Sequence, residues 1–109
     1  MRFFPLEKLI NLYDGYTGRF KIDSLHLLLL QRDGNCYLIE AHCPHRGHSL
    51  DSARISDGIV QCALHEYCFS LHDGNLLSYR EEPCRNLRTW PLAYQGTEIG
   101  VVLDDAPAG

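Results

Sequence analysis

The stretch Leu25-His26-Leu27-Leu28-Leu29-Leu30-Gln31-Arg32-Asp33-Gly34-Asn35-Cys36-Tyr37-Leu38-Ile39-Glu40-Ala41 decides the fold class. Leu25 to Gln31 is apolar and β-compatible. Arg32-Asp33-Gly34-Asn35 is a hairpin signal, because such turns need positive φ, which glycine adopts without a Cβ penalty. Cys36 to Ala41 reads as the return strand, with Tyr37 and Ile39 on one face and Cys36, Leu38 and Glu40 on the other. Working outward, Gly18 to Ile22 is a preceding strand, and Ile22-Asp23-Ser24 is the break. Downstream, Asp57-Gly58 precedes Ile59-Val60-Gln61, and Asp73-Gly74 follows Cys68-Phe69-Ser70-Leu71. Gln95-Gly96 separates Leu87 to Tyr94 from Glu98 to Leu103. Short strands between recurring turns predict an all-β chain, an antiparallel sandwich or barrel. Only Leu6 to Leu12 offers one or two helical turns, with Leu6, Leu9 and Ile10 sharing a face.

Composition bounds the function. The chain has 109 residues, 45% hydrophobic and 22% charged, which is the size and make-up of one globular domain. A single domain over 1–104 with a flexible tail over 105–109 is expected. The apolar runs are too short to cross a bilayer, and the start does not read as a secretory signal. A formal net charge of −4 with scattered Lys and Arg gives no nucleic-acid footprint. These features predict a cytoplasmic protein that binds neither nucleic acid nor membrane. Five cysteines cannot all pair within one chain, and six histidines accompany them, so a metal question precedes a disulfide question.

Two boxes carry the chemistry: Cys43-Pro44-His45-Arg46-Gly47-His48 and Cys62-Ala63-Leu64-His65-Glu66-Tyr67-Cys68-Phe69. The order is Cys-x-His, sixteen intervening residues, then Cys-x-x-His. Each box follows a predicted strand and opens a loop that can aim soft thiolate and imidazole donors at one point. Zinc also accepts two Cys and two His, but Cys-x-His is uncommon in structural zinc fingers. A zinc-stabilised interaction module is the bland alternative.

Order and spacing resemble the Rieske iron–sulfur family, over most of the chain. The resemblance implies a Rieske-type β-sandwich with a small loop-rich subdomain over about 42–72, and a third loop over about 80–85, at Pro83, covering a [2Fe-2S] cluster. It implies that Cys43 and Cys62 hold one iron and His45 and His65 the other. Around them it places Arg46, Gly47, His48, Tyr67, Phe69 and Pro83. Neutral imidazoles in place of two thiolates leave the oxidised cluster formally neutral, which raises its potential above that of an all-cysteine cluster.

Some positions depart from the respiratory-chain members. Their extra disulfide is impossible here, where His48 and Leu64 occupy its positions. Their Ser and Tyr donors to the cluster sulfurs become Tyr67 and Phe69, and Phe69 cannot donate. Fewer donors imply a potential at the low end of the family range, on the order of −150 mV. Ala63 and Glu66 stand where Pro and Gly are usual.

The resemblance implies a one-electron carrier of the ferredoxin type, an electron-transfer component rather than a catalyst alone. It would take electrons from a flavin-containing reductase and pass them to a terminal oxygenase. The small subunit of an NAD(P)H nitrite reductase is the alternative within the family. The chain shows no Gly-rich dinucleotide fingerprint and no mononuclear iron triad. Of the remaining thiols, Cys36 and Cys68 read as strand residues and Cys84 as an exposed loop residue. Trp90 and Tyr94 read as core.

Overall fold

The computed structural model describes residues 2–44, 47, 49–51, 53–63, 67–79 and 83–103. Three antiparallel sheets hold eleven strands among them. The central sheet, in order β2-β3-β4-β9, contains β2 (Thr17–Ile22), β3 (Leu25–Arg32), β4 (Asn35–Glu40) and β9 (Thr89–Trp90). The β3–β4 turn is closed by Arg32 opposite Asn35, with Asp33 at φ 54° and Gly34 at φ 78°. That is the two-residue, doubly positive-φ turn whose twist matches the strands. The Asp14 carboxylate braces it, accepting from the Gly34 amide at 2.8 Å and from Gln31 Nε2 at 3.1 Å.

Side chains alternate across a strand, so four consecutive buried leucines need cover on both faces. Leu27 to Leu30 are all at most 1% exposed. Leu28 and Leu30 join Ile39, Ala41, Cys43, Leu50, Val60, Cys62, Tyr67, Phe69, Leu71 and Leu87 in one core. Leu27 and Leu29 join Leu38, Ile99 and Val101 in a second. The expected split of β4 holds: Tyr37 and Ile39 serve the first core, Cys36 and Leu38 the second.

The second core is capped by a three-stranded sheet, order β1-β11-β10, made of β1 (Arg2–Lys8), β10 (Ala93–Gln95) and β11 (Glu98–Leu103). The expected helix over Leu6 to Leu12 is not formed. Arg2 to Lys8 pairs with β11 as an edge strand, where Pro5 is tolerated, and Leu6 packs on the second core. Only Leu9–Asn11 turns, as a single 3-10 turn, and Ile10 is 88% exposed. The expected continuous strand over Leu87 to Tyr94 is also broken. Thr89–Trp90 pairs with β4 and Ala93–Gln95 with β11, so the chain changes sheets at Pro91-Leu92. Trp90 packs on the second core as expected, but Tyr94 is exposed and belongs to no core.

The first core is closed by a small sheet, order β5-β6-β7-β8: β5 (Arg54–Ser56), β6 (Ile59–Gln61), β7 (Cys68–Ser70) and β8 (Leu76–Ser78). Among the described residues no helix is long and apolar enough to cross a membrane. The tail over 105–109 lies outside the described residues.

Candidate metal centre

Both boxes sit in hairpin connections that leave the first core. β4 runs through Ala41 into Cys43, and the chain returns through Ser49 and Leu50. His42 bridges Ser49, and the Leu50 amide donates to the Ala41 carbonyl at 2.8 Å. Inside that mouth the Gly47 amide donates to the Cys43 carbonyl at 2.7 Å, with Gly47 at φ 70°. A left-handed glycine is what such a tight reversal needs. Arg19 on β2 pins the base of the loop: it donates to Asp51 Oδ2 at 2.8 Å and to Ser49 Oγ at 3.2 Å. Its other terminal nitrogen lies 3.3 Å from His42 Nε2, which must accept, because a guanidinium only donates.

The second box is the β6–β7 connection. Gln61 pairs with Cys68, and the Cys62 amide donates to the Tyr67 carbonyl at 2.8 Å. Tyr67 and Phe69 are fully buried beneath it. Cys43 and Cys62 are 2% and 1% exposed and sit in the same core.

The other two expected ligands, His45 and His65, lie outside the described residues, as do Arg46, His48, Leu64 and Glu66. Hence no group of three metal-ligating side chains occurs among the described residues. There is also no disulfide among them. Two buried thiols, delivered from different sheets into one core at matching loop bases, fit the soft half of a two-cysteine, two-histidine donor set.

A third segment completes the surroundings. Pro83 is exposed, but Cys84 beside it is half-buried against the first core, not the exposed thiol expected from its polar neighbours. Burial pushes the Cys84 thiol up, and the nearby charge of Cys43 adds to this, against the opposing pull of Arg85. The segment is latched to β4 through Glu40. Arg85 grips that carboxylate at both oxygens, at 2.7 and 2.9 Å, and the Arg88 amide donates to it at 2.8 Å. On the other side Asn86 Oδ1 accepts from the Leu76 amide at 3.0 Å, and the Leu87 amide donates to the Gly74 carbonyl at 2.8 Å. Arg19, Glu40 and Arg85 were not singled out from sequence. Each is an ordinary charged residue whose role appears only when distant segments meet.

The remaining thiols are elsewhere. Cys36 faces the second core, and burial raises its pKa. Cys68 lies on β7, as expected, but is half-buried rather than buried.

The Rieske [2Fe-2S] domain model matches residues 4–91 of this chain. Among solved structures, the ferredoxin of carbazole 1,9a-dioxygenase from Nocardioides aromaticivorans IC177 superposes with a TM-score of 0.80 at 22% identity, over 95% of this chain and 100% of that one. The terminal oxygenase of the same system from that organism matches with a TM-score of 0.80 at 20% identity, over 96% of this chain but 31% of its own. A chain of the reduced complex between oxygenase and ferredoxin in carbazole 1,9a-dioxygenase matches with a TM-score of 0.79 at 20% identity, over 96% and 29%. At these identities the superpositions establish a shared fold. The family match spans most of the chain and takes in both boxes, the buried cysteine pair and the third segment: this chain belongs to the Rieske [2Fe-2S] domain family.

Proposed function

We propose that this protein is a one-electron carrier in an oxygenase system, with Cys43, His45, Cys62 and His65 as the ligands of its [2Fe-2S] cluster. The observation that carries the ligand set is the burial of Cys43 and Cys62 in one core at the bases of two loops. The observation that favours a carrier is the match over the whole of a ferredoxin.

The cluster supplies reversible one-electron chemistry. The chain supplies the rest. The two cysteines would hold one iron from within the first core, where water is excluded. The two histidines would hold the other and would leave their ring N–H groups for a docking partner. The Glu40–Arg85 latch holds the third segment against the site. The chain acts as an electron-transfer component and not as a catalyst alone, in the cytoplasm, where its thiols stay reduced. A flavin-containing reductase is the donor and a terminal oxygenase the acceptor.

The test is spectroscopic and then kinetic. The purified protein should be red-brown and should give a rhombic EPR signal on reduction, with an average g below the free-electron value. The reduced protein should be reoxidised by a terminal oxygenase in the presence of its substrate and oxygen. A colourless protein holding stoichiometric zinc after anaerobic handling would sink the cluster assignment. A loaded protein that no oxygenase reoxidises would sink the carrier role.

A further inference from the structure

The central sheet is left unfinished along half of β4. That strand spans Asn35–Glu40, yet β9 covers only Leu38 and Ile39 before the chain leaves at Pro91-Leu92 for the other sheet. Hydrogen-bonded and non-hydrogen-bonded pairs alternate along an antiparallel ladder. The two-residue turn closes on Arg32 and Asn35, so Tyr37 and Ile39 bond to β3, and Cys36, Leu38 and Glu40 point their amides and carbonyls away from it. On that outer side the Glu40 amide donates to the Arg88 carbonyl at 3.0 Å. Cys36 has the same orientation but no strand beside it, and its N–H and C=O meet no partner among the described residues.

A groove of about 610 Å³ runs along this bare edge. It is lined by the edge itself, Gly34 to Leu38, and by the departing chain at Pro91, Leu92 and Tyr94. Its flanks belong to different cores. Tyr37 and Leu71 pack with the first, and Tyr37 meets the exposed His72 ring edge-on at 5.4 Å. Cys36 and Leu92 pack with the second. An extended chain sends alternate side chains to opposite faces, so a strand laid here finds an apolar or aromatic surface for each set. At ordinary strand and sheet spacings a strand residue fills roughly 160 Å³, so the groove holds about four residues.

The surroundings are acidic. The Asp14 carboxylate accepts from the Gly34 amide at 2.8 Å, and Asp33 is the other residue of that turn. Beside His72 stand Asp73, its neighbour in the chain, and Asp57, the neighbour of Gly58, at which an added Cβ would lie 3.4 Å from His72 Nε2. None of these four carboxylates pairs with a Lys or Arg among the described residues, and no Lys or Arg lines the groove. Uncompensated negative charge around an apolar slot selects a cationic occupant. A second copy of this chain is disfavoured, because its own β4 edge brings the same four carboxylates.

We propose that this groove binds an extended apolar segment of a partner protein, flanked by basic residues, which adds as a strand to β4 beside Cys36. Bare strand edges capture extended segments in this way: main-chain hydrogen bonds give affinity, and the flanking surfaces give specificity. Seven residues, roughly 20 Å of extended chain, lead from Cys36 to Cys43, so the occupant leaves the cysteine-bearing loops uncovered.

The probe is a nine-residue peptide, five alternating valines and threonines with two lysines at each end. It is titrated into the loaded full chain at low salt and followed by amide NMR and hydrogen exchange. Shifts should centre on residues 34–38 and 90–94, the Cys36 amide should gain protection, and the affinity should be better than about 1 mM. Methylating the backbone nitrogens of the five central residues, which keeps the charge, should weaken binding at least tenfold or so. Asp33→Asn together with Asp73→Asn should weaken it about threefold at low salt and less at high salt. Both positions are exposed, and Asn keeps the left-handed conformation at 33 and the acceptor at 73, so folding is preserved. Overturning results are no binding, shifts centred elsewhere, or equal affinity for the methylated peptide or for one with glutamates in place of the lysines. Tighter binding of a proline-rich peptide with the same lysines would replace strand addition by a polyproline mode. Self-association through residues 34–38 at NMR concentrations would give the groove to a second copy. Either outcome would reject the proposal.

Discussion

Replacing Glu40 by alanine should loosen the third segment far more than removing the arginine that grips it. The Glu40 side chain is only 13% exposed, whereas that of Arg85 is 53% exposed. The carboxylate accepts from both Arg85 terminal nitrogens and from the Arg88 amide. A hydrogen bond to a charged group contributes about 1.5–3 kcal/mol, and a largely exposed ion pair about 0.2–1 kcal/mol. Water can reach the Arg88 amide once the carboxylate is gone, so the lower ends apply. Glu40→Ala should therefore cost about 2 kcal/mol of segment docking, roughly thirtyfold in its opening equilibrium. Arg85→Ala leaves the Arg88 amide bonded to Glu40, and should cost about 0.5 kcal/mol, roughly twofold. Native-state hydrogen exchange of the Leu87 amide, whose bond to the Gly74 carbonyl neither variant touches, reads this opening directly. The loaded Glu40→Ala protein should also bleach faster. If Arg85→Ala accelerates exchange as much as Glu40→Ala, the exposed guanidinium carries the latch and the weighting by burial is wrong.

Three further outcomes are expected. Gly74, at φ 79°, has no room for a Cβ, which would collide with the Leu87 carbonyl oxygen, so Gly74→Ala should cost about 3 kcal/mol in urea unfolding. Gly34 has a similar φ of 78° but open space around it, so Gly34→Ala should cost only about 1 kcal/mol; equal losses would deny the close approach. Hydrogen bonds from Asn11, the Lys8 amide and Tyr16 hold the Glu7 carboxyl below its usual range, a stabilisation present above the ordinary Glu pKa and lost as pH falls through the lower folded value. Glu7→Gln should thus flatten the acid limb of a stability-versus-pH curve while leaving its slope at neutral pH unchanged. His45→Ala and Cys62→Ala should each abolish the native EPR spectrum, and the wild-type potential should titrate on the order of −150 mV, with a value well above zero counting against it.

The hairpin from Leu25 to Ala41 was legible in the sequence because its information is local, and the two boxes that carry the proposed ligands stand out for the same reason. A two-residue turn is written in two residues, and ligand spacing in a handful. What failed was non-local. Leu6, Leu9 and Ile10 satisfy a helical spacing, but β1 finds its partner in β11 at the other end of the chain, and the irregularity between Pro5 and Glu7 hides its alternation. Leu87 to Tyr94 looks like one strand because nothing near it states that its halves join different sheets. Cys84 looks exposed among polar neighbours, and the segment that buries it is held through Arg85 by Glu40, 45 residues from that arginine. Arg19 and Glu40 support the site without touching a ligand, so no motif announces them.

The four leucines of β3 have a practical consequence. They make the central sheet a partition with separate contents on its two sides, and both cysteines proposed as ligands belong to one side. Alterations on the far side, in the sheet of β1, β10 and β11, are screened from the redox centre by a full layer of packed side chains. The turn at Gly96, where an added Cβ meets open space and the left-handed φ of 60° costs a non-glycine residue only about 1 kcal/mol, is therefore a suitable tether point. A tag, dye or electrode linker fixed there should anchor the protein without displacing the cysteine-bearing loops.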